Sequence, residues 1–147
     1  MNKKFELIVR GVCLCNGMLL LCRNRKVGNV YLPGGHIELG ESADAALKRE
    51  LMEELAVEGI VTQFLGVAES RFVQAGDEVF ELNLVFAVHI DCGSVCTLPQ
   101  SAEAHIEFFW CPFAEVPVSG MLPTSLATRL QGWLDGSDPV RFIPMQP

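Results

Sequence analysis

The chain has 147 residues, half of them hydrophobic and a fifth charged. That composition fits one globular domain over residues 1–147, long enough to bury one core. The formal net charge of −7 excludes a nucleic-acid polymer as the main partner, because a phosphate backbone needs a basic surface. A small phosphorylated ligand stays open, since a metal ion and a few Arg or Lys can hold one.

At the N-terminus, Lys3 and Lys4 precede an apolar stretch that Glu6 and Arg10 interrupt, so no signal peptide is read there. No run reaches the ~18 uninterrupted apolar residues of a membrane span. A cytoplasmic location and no membrane partner are expected. Phe5 to Cys15 is dense in apolar and β-branched residues and reads as a strand. Asn16-Gly17 is a hairpin signal, and Met18 to Cys22 is the returning strand. Arg23 to Asn29 reads as a basic loop. Tyr31-Leu32 leads into Pro33-Gly34-Gly35, which no helix tolerates.

Ser42 is placed to cap a helix, with Asp44 in its first turn. The helix runs to about Leu55, and Leu47, Leu51 and Leu55 form its core stripe. Gly59 to Glu69 and Val79 to Ile90 read as strands joined through Gln74 to Asp77. Asp91 to Glu103 reads as a loop, Glu107 to Pro112 as a short aromatic strand, and Ser125 to Leu134 as a second helix with Gly136 past its end. The Pro-containing tail, Asp138 to Pro147, is expected to be loosely ordered or packed on the surface. Strands mixed with two helices define an α/β or α+β layered domain. Of the six cysteines, Cys13, Cys15 and Cys22 sit in apolar runs and read as small core residues. Cys92 and Cys96 flank a loop that lacks the further ligands of a zinc site.

The first helix carries Glu50, Glu53 and Glu54 at i, i+3 and i+4, within an arc of about 100°. Crowded carboxylates repel one another and destabilise a helix. A hard divalent cation on that face removes the conflict, and Mg²⁺ commonly combines a few carboxylates with substrate phosphates. A solvated acidic face is the plain alternative.

The loop and helix together fit the pattern G-x5-E-x7-R-E-U-x-E-E-x-G-U, with U a bulky aliphatic residue. Gly35, Glu41, Arg49, Glu50, Leu51, Glu53, Glu54 and Val57 match, and Ala56 stands where the pattern has Gly. This stretch, residues 35–57, resembles the signature of the Nudix (MutT-like) hydrolases. The resemblance implies an α/β/α sandwich around a mixed sheet. It also implies hydrolysis of a nucleoside diphosphate linked to another group, with Mg²⁺ or Mn²⁺ as cofactor. By the same resemblance Glu53 and Glu54 are the principal metal ligands, joined by Glu50 and the backbone at Gly34 and Gly35. Glu50 alternatively orients the attacking water. Arg49 holds the glutamates, and Glu41 stiffens the loop. Glu103, ahead of Phe108-Phe109-Trp110, is a candidate base or ligand, with Glu107 as its competitor.

Arg23, Arg25 and Lys26 are candidates for substrate phosphates, and Glu69, Arg71 and Phe72 for a base or sugar. Solvated loop charges and strand-end packing are the plain alternatives. His36 reads as a non-ligand, and His89 and His105 read as structural residues. A left-handed helix end at Ala56 costs roughly 1 kcal/mol, so the chain is expected to close there differently, with Gly59 available. A non-catalytic, nucleotide-binding regulatory module is the alternative function, though such relatives usually lose signature carboxylates. No proline lies between Val57 and Pro99, where ADP-ribose-cleaving relatives often carry one. Nucleoside triphosphates, nucleotide sugars and dinucleoside polyphosphates remain as substrates, and a homodimer is consistent with the family.

Overall fold

The computed structural model describes residues 1–93 and 100–147. Strands β1 (Lys3–Cys15) and β2 (Met18–Asn24) form the hairpin expected at Asn16-Gly17. Both turn residues have positive φ, 48° and 76°, the geometry a two-residue hairpin turn requires and Asn-Gly adopts at least cost. Then come β3 (Val30–Tyr31), β4 (Gly34–His36), helix α1 (Ala43–Leu55), β5 (Ile60–Gln74) and β6 (Asp77–His89). The remainder is β7 (Ile106–Pro112), a 3-10 segment Phe113–Val118, helix α2 (Thr124–Asp135) and β8 (Phe142–Ile143).

The sheet runs β3-β2-β1-β6-β5-β8, with β4 beside β1 and β7 beside β2. β1 pairs with β6 in parallel, β5 with β8 in parallel, and the other pairs are antiparallel, so the sheet is mixed. Strand alternation splits β1 between two cores. Val9 and Cys13 face α1, where Leu47, Leu51 and Leu55 are buried with Leu20 and Phe108. Val12 faces the other way, into a cluster holding Leu126, Leu130 and Trp133 of α2 with Leu65, Val85 and Met121. One helix therefore covers each face, the α/β/α layering expected from the resemblance. Each fully buried Leu contributes roughly 1.5–3 kcal/mol. No helix among the described residues is long and apolar enough to cross a membrane.

Four expectations change. The segment after Pro33 is not only a turn: Gly34 to His36 adds a short strand to β1, at Val9 opposite Gly35. β5 continues past Glu69 to Gln74, because a two-residue turn at Ala75 and Gly76 (φ 51° and 84°) lets it pair with β6 to the tip. The tail is anchored. Arg129 donates to Asp138 Oδ2 (2.8 Å) and to the Phe142 carbonyl (3.0 Å), and Trp133 Nε1 donates to the Val140 carbonyl (2.9 Å). Ile143 is buried in the α2 core. Finally, Cys15 is not a free core thiol, since it forms a disulfide with Cys92. Parallel pairing of Cys13 with Val88 carries the ends of β1 and β6 to the same edge, which brings these two cysteines together. Cys96 lies outside the described residues.

Candidate active site

The site is built where the β4 loop meets α1. Gly34 has φ 146°, and a Cβ there would strike the Val9 carbonyl. Gly35 has no room for a side chain either, because the Glu50 carboxylate occupies that space. These two glycines let backbone and carboxylate approach as no other residue would permit.

Arg49 ties loop to helix. Its guanidinium donates from Nε and Nη2 to the two oxygens of Glu41 (2.8 and 3.0 Å), from Nη1 to Glu50 (2.9 Å) and Glu53 (3.3 Å), and from Nη2 to the His36 carbonyl (3.0 Å). Bidentate, charge-assisted pairing of this kind fixes geometry as well as energy. The Arg49 hydrogen bond holds the Glu41 carboxyl below its usual range, and Glu41 in turn raises the Arg49 pKa. Glu41 also accepts from the Glu38 N–H (3.2 Å), which closes the loop.

Glu54 is the buried member, 7 % exposed. Burial pushes its carboxyl up to about 8, with the charges of Glu50 and Glu103 adding to the shift. Arg10 and the Gly34 N–H oppose it. Its Oε2 has no hydrogen-bond partner, which is costly for a buried oxygen. Glu53 is open to solvent, with 55 % of its side chain exposed.

Glu103 lies on the segment that returns to α1, where the Ala102 N–H donates to the Glu54 carbonyl (2.8 Å). Its own carboxylate pairs with His105 Nε2 at 3.4 Å. Glu107 turns elsewhere: it accepts from Arg23 at 2.7 Å and stands 4.0 Å from Arg25. Arg23 also stacks over the Phe109 ring at 4.6 Å. The Arg25 N–H donates to the His105 carbonyl (2.8 Å), so this basic loop borders the Glu103 segment. Phe72 lies near the tip of the β5–β6 hairpin beside Arg71, which pairs with Glu78 at 3.3 Å. It stands five residues along β1 from the Val9–Gly35 pair, so the structure does not bring it to the carboxylates. Glu69 accepts from the Met145 N–H (3.0 Å), and His36 pairs with Glu6 (3.2 Å).

Arg10 is the residue that sequence reading passed over. From β1 it donates to the Leu32 carbonyl and to Asn83 Oδ1, both at 3.2 Å, and lies 5.2 Å from the centroid of the Tyr31 ring. Its backbone pairs with Gly34. The available signal was a lone arginine inside the run Leu7-Ile8-Val9-Arg10-Gly11-Val12.

Among the described residues, no three His, Cys, Asp or Glu side chains form a ready-made metal cage. The guanidinium of Arg49 stands between Glu50 and Glu53. The donors nevertheless suit a hard divalent cation: all are carboxylate oxygens, and the orphaned Oε2 of Glu54 is the kind of atom a cation satisfies.

A family model for the NUDIX domain matches residues 6–133, and the chain belongs to that family. A Mycobacterium tuberculosis protein provisionally named mutator protein MutT4 is 34% identical over 86 residues, covering 58% of this chain and 34% of that protein. The chain therefore spans about a third of that relative's length. The crystal structure of a MutT protein from Methanosarcina mazei superposes with a TM-score of 0.67 at 21% identity, covering 94% of this chain and 99% of the other. An ADP-ribose pyrophosphatase from Streptococcus suis gives 0.61 at 13% identity, covering 95% and 96%. At these identities the two structures establish the fold alone.

Proposed function

We propose that the chain hydrolyses the pyrophosphate bond of a nucleoside diphosphate linked to another group, with Mg²⁺ or Mn²⁺ bound at α1. The observation that carries this reading is Glu54. It is a buried carboxylate with an unpartnered oxygen, set against the Gly34-Gly35 loop and close enough to Glu50 and Glu103 to feel their charge. A buried acid in that position is costly unless a cation answers it.

Glu50, Glu53 and Glu54, with the Gly35 backbone, would hold the metal, which when bound screens phosphate charge and acidifies a water. Arg49 orients Glu50 and Glu53 while keeping Glu41 ionised. Glu103 is the candidate base that takes a proton from the attacking water, since its segment is tied to Glu54 through Ala102. Arg23, near the end of β2, and Arg25, just past that strand, would receive the substrate's phosphates once drawn from Glu107. Phe72 would enter only for a substrate long enough to reach the hairpin tip. The substrate class remains nucleoside triphosphates, nucleotide sugars or dinucleoside polyphosphates.

The test is a phosphate-release screen over these three classes, with and without Mg²⁺ or Mn²⁺. Glu53→Gln should lower kcat by at least ~100-fold while the fold survives. Full turnover in that variant refutes the proposal. Tight nucleotide binding with no product from the unaltered chain would instead establish the regulatory alternative.

A further inference from the structure

The sheet face that carries α2 changes character along its strands. Val12, Ala68 and Val85 are buried in the α2 core. Further along β1, β5 and β6, alternation puts Arg10, Ser70, Asn83 and Glu81 on the same face. The β5–β6 register sets Asn83 beside Ala68 and Glu81 beside Ser70. Their polar atoms form one connected network. Arg10 Nε donates to Asn83 Oδ1 and Nη1 to the Leu32 carbonyl, both at 3.2 Å. Asn83 Nδ2 donates to the Ser70 hydroxyl and to Glu81 Oε2, both at 3.3 Å, and the Ser70 hydroxyl donates to the same Oε2 at 3.0 Å. Fixed from both sides, Arg10 Nη2 and Glu81 Oε1 stop 3.9 Å apart, too far for a hydrogen bond.

This gap is open. Among the described residues, the sealed side-chain atoms without a partner are Glu54 Oε2 and Trp110 Nε1, and the Arg10 and Glu81 side chains keep 16% and 13% exposure. A mostly buried ion pair held apart is a poor stabilising device, because only close geometry offsets the desolvation of its charges. It is a good binding device, a donor and an acceptor at a fixed spacing. Glu81 disfavours a phosphate there. A hydroxyl suits the gap: its oxygen can stand ~2.8 Å from both atoms, accepting from Nη2 and donating to Oε1. The gap also adjoins the carboxylates, since the Arg10 backbone pairs with Gly34 and the Arg10 charge reaches Glu54. The nucleoside sugar is the hydroxyl-bearing group that all three substrate classes share, and it is joined directly to the diphosphate. Glu69 and Arg71 alternate to the opposite face.

We propose that Arg10 and Glu81 bind a ribose hydroxyl of the substrate's nucleoside, so that the chain selects ribonucleotides over deoxyribonucleotides. This rests on the reading of the neighbouring site as one that cleaves a nucleoside diphosphate derivative.

The test compares ribonucleoside triphosphates with their 2′-deoxy and 3′-deoxy counterparts. The kcat/KM of the ribonucleotide should exceed that of one deoxy form by about 10- to 100-fold, the effect of one hydrogen bond to a charged group. Glu81→Gln keeps an oxygen for Ser70 and Asn83 but removes the acceptor at Oε1, and should bring that ratio close to one. Arg10→Lys, which keeps the charge and loses the fork, serves if the first variant misfolds. A purely structural role would not move the ratio, because it compares two substrates on one protein. Nucleoside monophosphates carry the sugar without a pyrophosphate bond, so calorimetric binding of AMP, CMP, GMP and UMP against their deoxy forms reads the subsite without turnover. Ribose preference in binding with no hydrolysis of any substrate would uphold the subsite and refute the hydrolase reading. Hydrolysis with equal kcat/KM for ribo and deoxy forms overturns the subsite alone, as does a preference that persists in the folded variants. No hydrolysis, with monophosphate binding equal or absent, overturns both.

Discussion

At the scale of single residues, Glu54 joins stability to function. Without metal its carboxyl lies near 8 against an ordinary 4.5, chiefly because it is buried. A raised folded-state pKa means that the native state keeps a proton the unfolded chain has released. The metal-free protein should therefore lose stability as pH rises from about 4.5 to about 8 and level off above. Glu54→Gln should abolish that loss and leave the metal-free protein more stable than the unaltered chain at high pH. It should also lose the rise in melting temperature that Mg²⁺ or Mn²⁺ gives the unaltered chain. Denaturant titrations across this range, with chelator and then with metal, measure both effects. A pH slope that persists in the variant would show that other groups carry it. The three glutamates were legible because helical spacing is local. Arg10 was not, because its partners Leu32 and Asn83 stand 22 and 73 residues away and no local pattern announces them.

At the scale of elements, the end of α1 is the informative place. The signature has Gly where this chain has Ala56, which made a different closure the expectation. The helix instead ends with Ala56 itself left-handed, φ 52°, its N–H donating to the Met52 carbonyl at 3.0 Å. Gly59 serves packing: a Cβ there would press into Leu51 and Val88. Ala56→Gly should therefore relieve strain and stabilise the protein by up to about 1 kcal/mol. That is a rise of about 2–4 °C in Tm for a domain of this size. Calorimetry of the two proteins decides, and an unchanged or lowered Tm would mean that Ala56 is not strained. Helices and hairpin turns were readable here because Asn16-Gly17, Ser42 and the leucine stripe act over a few residues. Ser42 occupies the cap position, yet its hydroxyl donates to Asp44 at 2.6 Å rather than capping the backbone. The tail was misjudged for the opposite reason: its order depends on Arg129 and Trp133, donors from a helix that composition cannot connect to it.

At the scale of the whole molecule, the Cys15–Cys92 disulfide joins the end of β1 to the residues just past β6, across a sequence separation of 77. The apolar run around Cys15 pointed to a core thiol, because only parallel pairing of β1 with β6 shows that Cys15 and Cys92 meet. Cys13, Cys22 and Cys111 are buried, and burial raises each thiol, Cys13 to about 12. Thiols held protonated are slow in exchange, so they compete poorly for either half of the bridge. A cross-link over so long a stretch restricts the unfolded chain by roughly 4 kcal/mol in the chain-entropy account. Urea denaturation of the oxidised protein, with Cys96 replaced by Ser throughout to remove one exchange partner, should thus give a midpoint well above that of Cys92→Ser. Reducing agent should collapse the difference by lowering the bridged protein alone. Equal midpoints under oxidising conditions would show that the bridge adds nothing to stability. The bridge also pins the near end of the segment whose far end holds Glu103 beside Glu54 through Ala102. Cys92→Ser should therefore lower kcat more than it raises KM, and an unchanged kcat would show that the Ala102 hydrogen bond alone positions Glu103.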